Sequence, residues 1–227
     1  MMENNTAKIV AITQPVVDGV ETANDFVAYC ARVSNPSNQM NHETSDRLLR
    51  YCARNKHWSI FEMVHIVMEI NTTRDIARQI LRHRSFSFQE FSQRYADPTK
   101  DLGFVTRDAR LQDAKNRQNS ISEGVDSMVQ YEWDTRQKNL IEQTRKTYDW
   151  AIENGLAKEQ ARAVLPEGLT ISKLYTAGTL RSWCHYVDLR SDNGTQKEHR
   201  EVAINAKKEL IRVFPSLEDF LTTSTQK

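Results

Sequence analysis

The chain has 227 residues, of which 39% are apolar, 8% aromatic and 27% charged, an ordinary globular composition that excludes the disordered and collagen-like classes. Its 31 basic and 30 acidic residues nearly cancel, so no global field draws it to nucleic acid or an anionic membrane, and any anion site must be local. The length suits one well-buried domain, with room only for a small second one.

In chain order, KIVAIT (8–13) is a β-branched run that reads as a strand. TANDFVAYCARVS (22–34) follows as a helix, with Phe26, Cys30 and Val33 at inward spacing, and NPSN stops it. TSDRLLRYCARN (44–55) predicts a second amphipathic helix with Leu48, Leu49 and Cys52 inward. In MVHIVMEI (63–70), Val64, Ile66, Met68 and Ile70 alternate with His65 and Glu69, as in a half-buried strand. Thr72 or Thr73 can then cap the helix TRDIARQILRHR (73–84), whose apolar stripe is Ile76, Ala77, Ile80 and Leu81. Arg74, Arg78 and Arg82 lie four apart on another face of it.

Residues 96–121 are polar and read as a mobile loop in which LGFV could form a short strand. The longest helical pattern runs over 122–154, with Val129, Trp133, Leu140, Ile141, Tyr148 and Ile152 recurring on one face and Gly155 as the stop. AKEQARAVLP makes a shorter helix ended by Pro166. TLRSWCHYVDLR (179–190) and TQKEHREVAINAKKELIRVF (195–214) read as two more helices, and SLEDFL follows Pro215. The mix is a helix-rich α+β pattern rather than the βαβ alternation of a dinucleotide-binding sheet.

Three widely spaced cysteines, Cys30, Cys52 and Cys184, form neither a disulfide framework nor a zinc pattern. The N-terminal MMENNTAKIV is polar, and no run of 18 apolar residues occurs, so a cytoplasmic, reduced setting is expected. With seven glycines and no GxGxxG or GxxxxGK[ST], a nucleotide must be held mainly by side chains.

RHRSFSFQEFSQRY (82–95) supplies suitable ones. From Arg74 to Arg94 five arginines face only Asp75 and Glu90, a formal +3, and none of the basic residues there is Lys. A guanidinium fork matches phosphate oxygens through parallel charge-assisted bonds, each contributing roughly 1.5–3 kcal/mol. In a helix Arg82 and Arg84 would point about 200° apart. Either the helix frays there or the two serve different anions. Beyond them Phe86 and Phe88 alternate with Ser85, Ser87 and Gln89, as in an extended segment with the rings inward, and Ser92 and Arg94 share a face. Two adjacent anionic ligands are expected, one at the helix end and one in the loop. The bland alternative is a solvated basic surface.

RHRSFSFQEFS carries Arg-His-Arg, seven residues and then Ser, and resembles the motif of the flavin-dependent thymidylate synthases. CARVS (30–34), HWSIFE (57–62), ARQILRHR (77–84), ARAVLP (161–166) and LRSWCHYVDLR (180–190) resemble further segments of that family in the expected order. The resemblance spans about residues 26 to 202. It implies the family's fold, a helix-rich single α+β domain over residues 1–227 with a small, mostly antiparallel sheet. It also implies the reaction: dUMP receives a methylene from 5,10-methylenetetrahydrofolate, and FAD reduced by NADPH delivers hydride, giving dTMP. The family is a homotetramer with active sites between subunits, and the resemblance implies no metal, nucleic acid or membrane partner.

Residue by residue, Arg82, His83 and Arg84 resemble FAD contacts, with Arg82 also reaching the nucleotide. Gln79, Glu90, Phe91, Ser92, Gln93, Arg94 and Arg162 match dUMP contacts. Ser34 and Ser59 fall at flavin contacts, and His57 and Glu62 line the flavin site. Arg181 and His185, i and i+4 on one helix, would complete the FAD pocket from another subunit. Thr179 falls at a flavin contact once one extra residue near EGLTIS is allowed. Arg190 resembles the residue that activates dUMP. Being permanently charged it is no general base, but it can stabilise negative charge on the uracil N3 and O2 edge without any nucleophile. The cysteines are accordingly read as core packing. Three positions depart from the family: Gln89 stands where Asn is frequent, Trp58 where Glu is common, and Gly194 where some members place a flavin-contacting His.

Two competing readings have weaker support. Glu62-x-x-His65 is half of a di-iron pattern with no second copy, and a strand histidine is the simpler reading. An RNA-binding loop stacking bases on Phe86, Phe88, Phe91 and Tyr95 conflicts with the alternation that turns the phenylalanines inward.

Overall fold

A computed structural model describes residues 4–223. The elements in chain order are β1 (Thr6–Ile12), α1 (Ala23–Ala31), α2 (Ser45–Arg54), β2 (His65–Thr73), α3 (Arg74–Ile80), β3 (Ser87–Glu90) and α4 (Pro98–Asp101). β4 (Leu111–Gln112), β5 (Ser120–Ile121), α5 (Ser127–Glu153), α6 (Lys158–Ala161), β6 (Ile171–Thr179), α7 (Leu180–Arg190), α8 (Lys197–Val213) and α9 (Glu218–Thr223) follow. Short 3₁₀ turns cover Pro36–Asn38, Trp58–Glu62, Arg162–Val164 and Pro215–Leu217.

Four strands pair in the order β1-β2-β6-β3, every neighbouring pair antiparallel. This is the expected helix-rich α+β fold with a small antiparallel sheet. One face is apolar because the strand period of two sends Val64, Ile66, Met68 and Ile70 inward, all fully buried. Across from them on β6 stand Gly178, Thr176 and Leu174. Helices cover this face: Ile76, Ala77 and Ile80 of α3, Leu180, Trp183 and Val187 of α7, and Val202, Ala203, Ala206 and Leu210 of α8 are all fully buried. Each large side chain buried there contributes about 1.5–3 kcal/mol. The opposite face is polar, with Glu69 bonded to the Tyr175 hydroxyl at 2.9 Å and paired with Lys173 at 3.4 Å.

β6 lies between β2 and β3 and has no counterpart among the predicted elements. Its inward positions are Ser172, Leu174, Thr176 and Gly178, so apolar alternation is nearly absent. Gly178 is small for a reason: a Cβ there would lie 2.3 Å from the Phe86 ring, which occupies the space instead.

Several expectations need correction. In α1 the buried residues are Ala23, Val27 and Ala28, while Cys30 is half-exposed and Val33 lies 70% exposed beyond the helix end. In α5 the inward face is Gln137, Thr144, Tyr148 and Ala151; Val129, Trp133 and Leu140 are exposed because little of this chain packs against the first half of the helix. Gly155, at φ 76°, ends α5 as expected. The polar segment 96–121 is structured: Asp97 caps α4, LGFV makes a single bridge between Phe104 and Thr170, and β4 pairs with β5. β2 runs on to Thr73, three residues past the predicted end. Among the described residues no helix is long and apolar enough to cross a membrane.

Candidate active site

α3 stops at Ile80, four residues before the predicted end. The backbone then turns, with His83 N donating to Ile80 O at 3.0 Å and Phe86 N to His83 O at 3.3 Å. The helical geometry that would splay Arg82 and Arg84 apart therefore does not apply. Three of the five clustered arginines have carboxylates: Arg74 meets Glu90 at 3.0 Å, Arg78 meets Glu167 at 3.2 Å and Arg94 meets Glu159 at 3.0 Å. Arg82 and Arg84 are exposed and make no ion pair among the described residues. Phe86 is buried and Phe88 half-buried, as the alternation predicts, so these two rings offer no stacking platform for RNA bases.

Behind this turn lies a chain of buried and half-buried polar groups drawn from α3, α7, α8 and the turn itself. Arg190, the last residue of α7, donates from Nε to His83 Nε2 at 3.0 Å. His83 is thereby an acceptor and neutral; burial first, then the charge of Arg190, hold its pKa down at about 4. No other nitrogen of the Arg190 guanidinium is hydrogen-bonded among the described residues. Gln79 donates from Nε2 to Gln196 Oε1 at 2.8 Å, and its Oε1 lies 3.1 Å from His199 Nδ1. His199 Nε2 lies 3.2 Å from the Tyr186 hydroxyl. His199 is fully buried, and desolvation, followed by the charge of Arg190, pushes its pKa down to about 3.

Glu62, Arg181 and His185 line one cavity of about 570 Å³ together with Trp58, Ser85 and Ser182. Arg181 Nη1 donates to Glu62 Oε1 at 2.8 Å. The Thr179 hydroxyl, then Arg181, holds the Glu62 carboxyl below its usual range despite some desolvation. Thr179 also caps α7, accepting from Ser182 N. Glu62 is held on Arg181 and His65 is exposed on β2, where its backbone pairs with Thr13; among the described residues no group of three or more His, Cys, Asp or Glu is placed to hold a metal ion.

Gln93 and Arg162 line a second cleft of about 400 Å³ with Arg74, Arg78, Glu159, Glu167 and Thr170, in which the arginines outnumber the carboxylates by one. Ser92 and Arg94 line an adjoining cleft of similar size with Tyr95 and Lys158. Glu90 is a strand residue, half-buried, and its carboxylate accepts from Arg74 at 3.0 Å and Ser172 at 2.8 Å rather than facing an open loop. Phe91 is half-buried, its amide bonded to Lys173 O. Ser34 opens onto a further cleft with Arg32, Arg47 and Tyr51, and exposed His57 stands edge-on to Tyr51. Ser59 and Gln89 are exposed on the surface. Gly194 N donates to Asp192.

The two main sets of candidate residues flank opposite ends of β6: Thr170 borders the second cleft, while Arg181 and Ser182 border the larger cavity. Nine strand residues at about 3.3 Å each separate them by roughly 25–30 Å. One chain thus brings Glu62, Arg181 and His185 together, and Gln79, His83 and Arg190 together; the first set lies far from Arg162, whereas Arg78, next to Gln79 on α3, lines the same cleft as Arg162.

Sequence reasoning missed Gln196, Glu198, His199 and Arg110. Arg110 Nη2 meets Glu198 Oε1 at 2.6 Å, with both side chains largely buried. Burial opposes ionisation of Glu198, but Arg110, a backbone donor and the Gln196 amide outweigh it and hold the carboxyl below its usual range. A signal existed: His199, Val202, Ala203, Ala206 and Leu210 fall at helical spacing, which places His199 on the buried face of α8. Cys52 and Cys184 are buried as expected, and desolvation pushes the Cys184 thiol up to about 12.

Comparison with known proteins is consistent with this geometry. A flavin-dependent thymidylate synthase of Synechocystis sp. is 45% identical over 213 residues, 92% of this chain and 96% of that protein. A probable flavin-dependent thymidylate synthase of Paramecium bursaria Chlorella virus 1 is 50% identical over 212 residues, 93% of this chain and 96% of its own. The solved structure of the UMP/dUMP methylase PolB from Streptomyces cacaoi, bound with 5-Br UMP, has a TM-score of 0.78 at 23% identity, covering 96% of this chain and 94% of that one, and shows the same fold. The family model of the thymidylate synthase complementing proteins matches residues 15–216, and with these relatives it establishes that the chain belongs to that family, the flavin-dependent thymidylate synthases.

Proposed function

We propose that the protein is a flavin-dependent thymidylate synthase that converts dUMP to dTMP, with 5,10-methylenetetrahydrofolate as carbon donor and NADPH as the source of reducing equivalents. The observation that carries this reading is the Arg190 guanidinium, anchored through Nε on neutral His83 with its other nitrogens unpaired among the described residues. That arrangement suits a cation turned to the N3 and O2 edge of a uracil, where it stabilises the charge that develops as C5 becomes nucleophilic. The burial and raised pKa of Cys184 agree with activation that needs no thiolate.

The residues present fit FAD. Exposed Arg82 and Arg84 and the cavity lined by Ser85, Arg181, Ser182 and His185 offer guanidinium and hydroxyl donors for a pyrophosphate. FAD, when bound, supplies the hydride that completes the methyl group. The chain's own residues do the rest: Arg82 and Arg84 bind anionic oxygens, Gln79, Ser92, Gln93, Arg94 and Arg162 orient the nucleotide, and Arg190 polarises its base. Ser34, His57, Ser59, Glu62, Thr179, Arg181 and His185 belong to the flavin side. Arg181 and Arg162 border clefts at opposite ends of β6, which supports a composite site formed between subunits of a homotetramer. A single domain of this size acting in the cytoplasm agrees with that assignment.

The test is anaerobic turnover of dUMP with 5,10-methylenetetrahydrofolate, FAD and NADPH, following dTMP. Yellow purified protein that forms dTMP is the expected result. Colourless protein that takes up no FAD and binds RNA would overturn the reading.

A further inference from the structure

The polar chain behind the arginine turn has a direction. Glu198, ionised beside Arg110 at 2.6 Å, can only accept, so the 3.0 Å contact from Gln196 must come from the Gln196 Nε2 amide. Gln196 Oε1 is then left as the acceptor for Gln79 Nε2 at 2.8 Å. With its nitrogen committed, Gln79 turns Oε1 toward His199, and the 3.1 Å contact requires a proton on His199 Nδ1. A neutral His199 protonated at Nδ1 has a bare Nε2, which accepts the Tyr186 hydroxyl proton at 3.2 Å. Each link leaves one polarity for the next, from an ion pair at one end to a tyrosine hydroxyl at the other.

We infer that Glu198, Gln196 and His199 are positioning residues that lock the carboxamide of Gln79 in one of its two orientations and so fix which edge it offers to the nucleotide. This rests on the reading of Gln79 as a dUMP contact. An amide free to flip would present donor and acceptor interchangeably, and the site would lose discrimination for the pattern of acceptors on a pyrimidine nucleotide. Arg110 ties the device to the chain's middle segment: it lies beside β4, so the loop that carries it holds one end of the relay.

Two measurements test this, one independent of turnover. In protein labelled with ¹⁵N-histidine, His199 should show the Nδ1–H tautomer with Nε2 unprotonated; the Nε2–H tautomer overturns the relay whether or not the enzyme methylates dUMP. Failure of the functional reading would appear separately, as absence of dTMP formation by the unaltered protein. In kinetics, His199→Asn retains a donor toward Gln79 Oε1, whereas His199→Asp replaces it with an acceptor and Glu198→Gln removes the polarity at its source. The expected result is a KM for dUMP raised about tenfold in His199→Asp and in Glu198→Gln, with kcat and bound flavin little changed, and largely restored in His199→Asn. If His199→Asp does not fold, Glu198→Gln and the tautomer decide alone. Unchanged KM in the folded variants, or His199→Asn as impaired as His199→Asp, overturns the inference.

Discussion

Two groups of polar residues meet at the turn after α3 and differ in how they are satisfied. Gln79, His83, His199 and Arg190 form hydrogen bonds within the chain, reaching as far as residue 199, and the two histidines among them are held neutral by burial and the charge of Arg190. Arg82 and Arg84, interleaved with His83, are exposed and have no carboxylate among the described residues. The first group is preorganised, so its geometry exists before any ligand arrives. The second is an unneutralised pair of forks that gains its partners only when an anion binds.

Breaking the preorganised group at its exit has the largest expected effect. Arg190→Ala should lower dTMP formation about 10²–10³-fold, the range for removing one aligned electrostatic stabiliser, while flavin absorbance persists because Arg82, Arg84 and Arg181 remain. Retained turnover with lost flavin would reverse the two assignments. Breaking the unneutralised pair should act on binding: Arg82→Ala is expected to weaken dUMP and flavin each by roughly 10–100-fold, and Arg84→Ala flavin alone, as measured by equilibrium titration. Equal losses of both ligands in the two variants would erase the distinction between them.

The scaffold under both groups can be strained directly. Gly178→Ala puts a methyl against the Phe86 ring and should destabilise by about 1–3 kcal/mol in thermal or denaturant unfolding. Acid should act on the buried group in particular. His199 takes a proton in the unfolded chain below its ordinary 6.5 but in the folded chain only near 3, so stability present above pH 6.5 is lost as pH falls through that window. The slope from this one residue is at most about 1.4 kcal/mol per pH unit, and a pH series of Tm for His199→Asn should be flatter than for the unaltered protein. Cys184→Ala is the smallest: a stability cost of about 1 kcal/mol with dTMP formation retained, and an inactive but folded variant would reveal a missed nucleophile.

Much of this was legible locally. The strand at 63–70 and the helices at 44–55, 179–190 and 195–214 follow from apolar periodicity, which works wherever one face of an element is buried against many partners. The arginine cluster was visible because guanidiniums outnumber carboxylates there, and its special pair because a helix cannot aim Arg82 and Arg84 together. α5 shows the limit of that method. Its period announces a helix, but Val129, Trp133 and Leu140 are exposed, since periodicity reports that a face is apolar and not what covers it. β6 shows another, because Ser172, Thr176 and Gly178 on its inner face remove the alternation that would announce a strand.

By itself the sequence determined the order of most elements, the excess of arginine after α3 and the family to which the chain belongs, all carried by residues near one another along the backbone. Only the tertiary structure decided which of those polar groups are already satisfied. Gln79 finds His199 across 120 positions and His83 finds Arg190 across 107, and neither pairing has any local trace. Hydrogen-bond partners are chosen by the packing of α3, α7 and α8 on the sheet, a long-range consequence of burying apolar faces that no window of sequence contains.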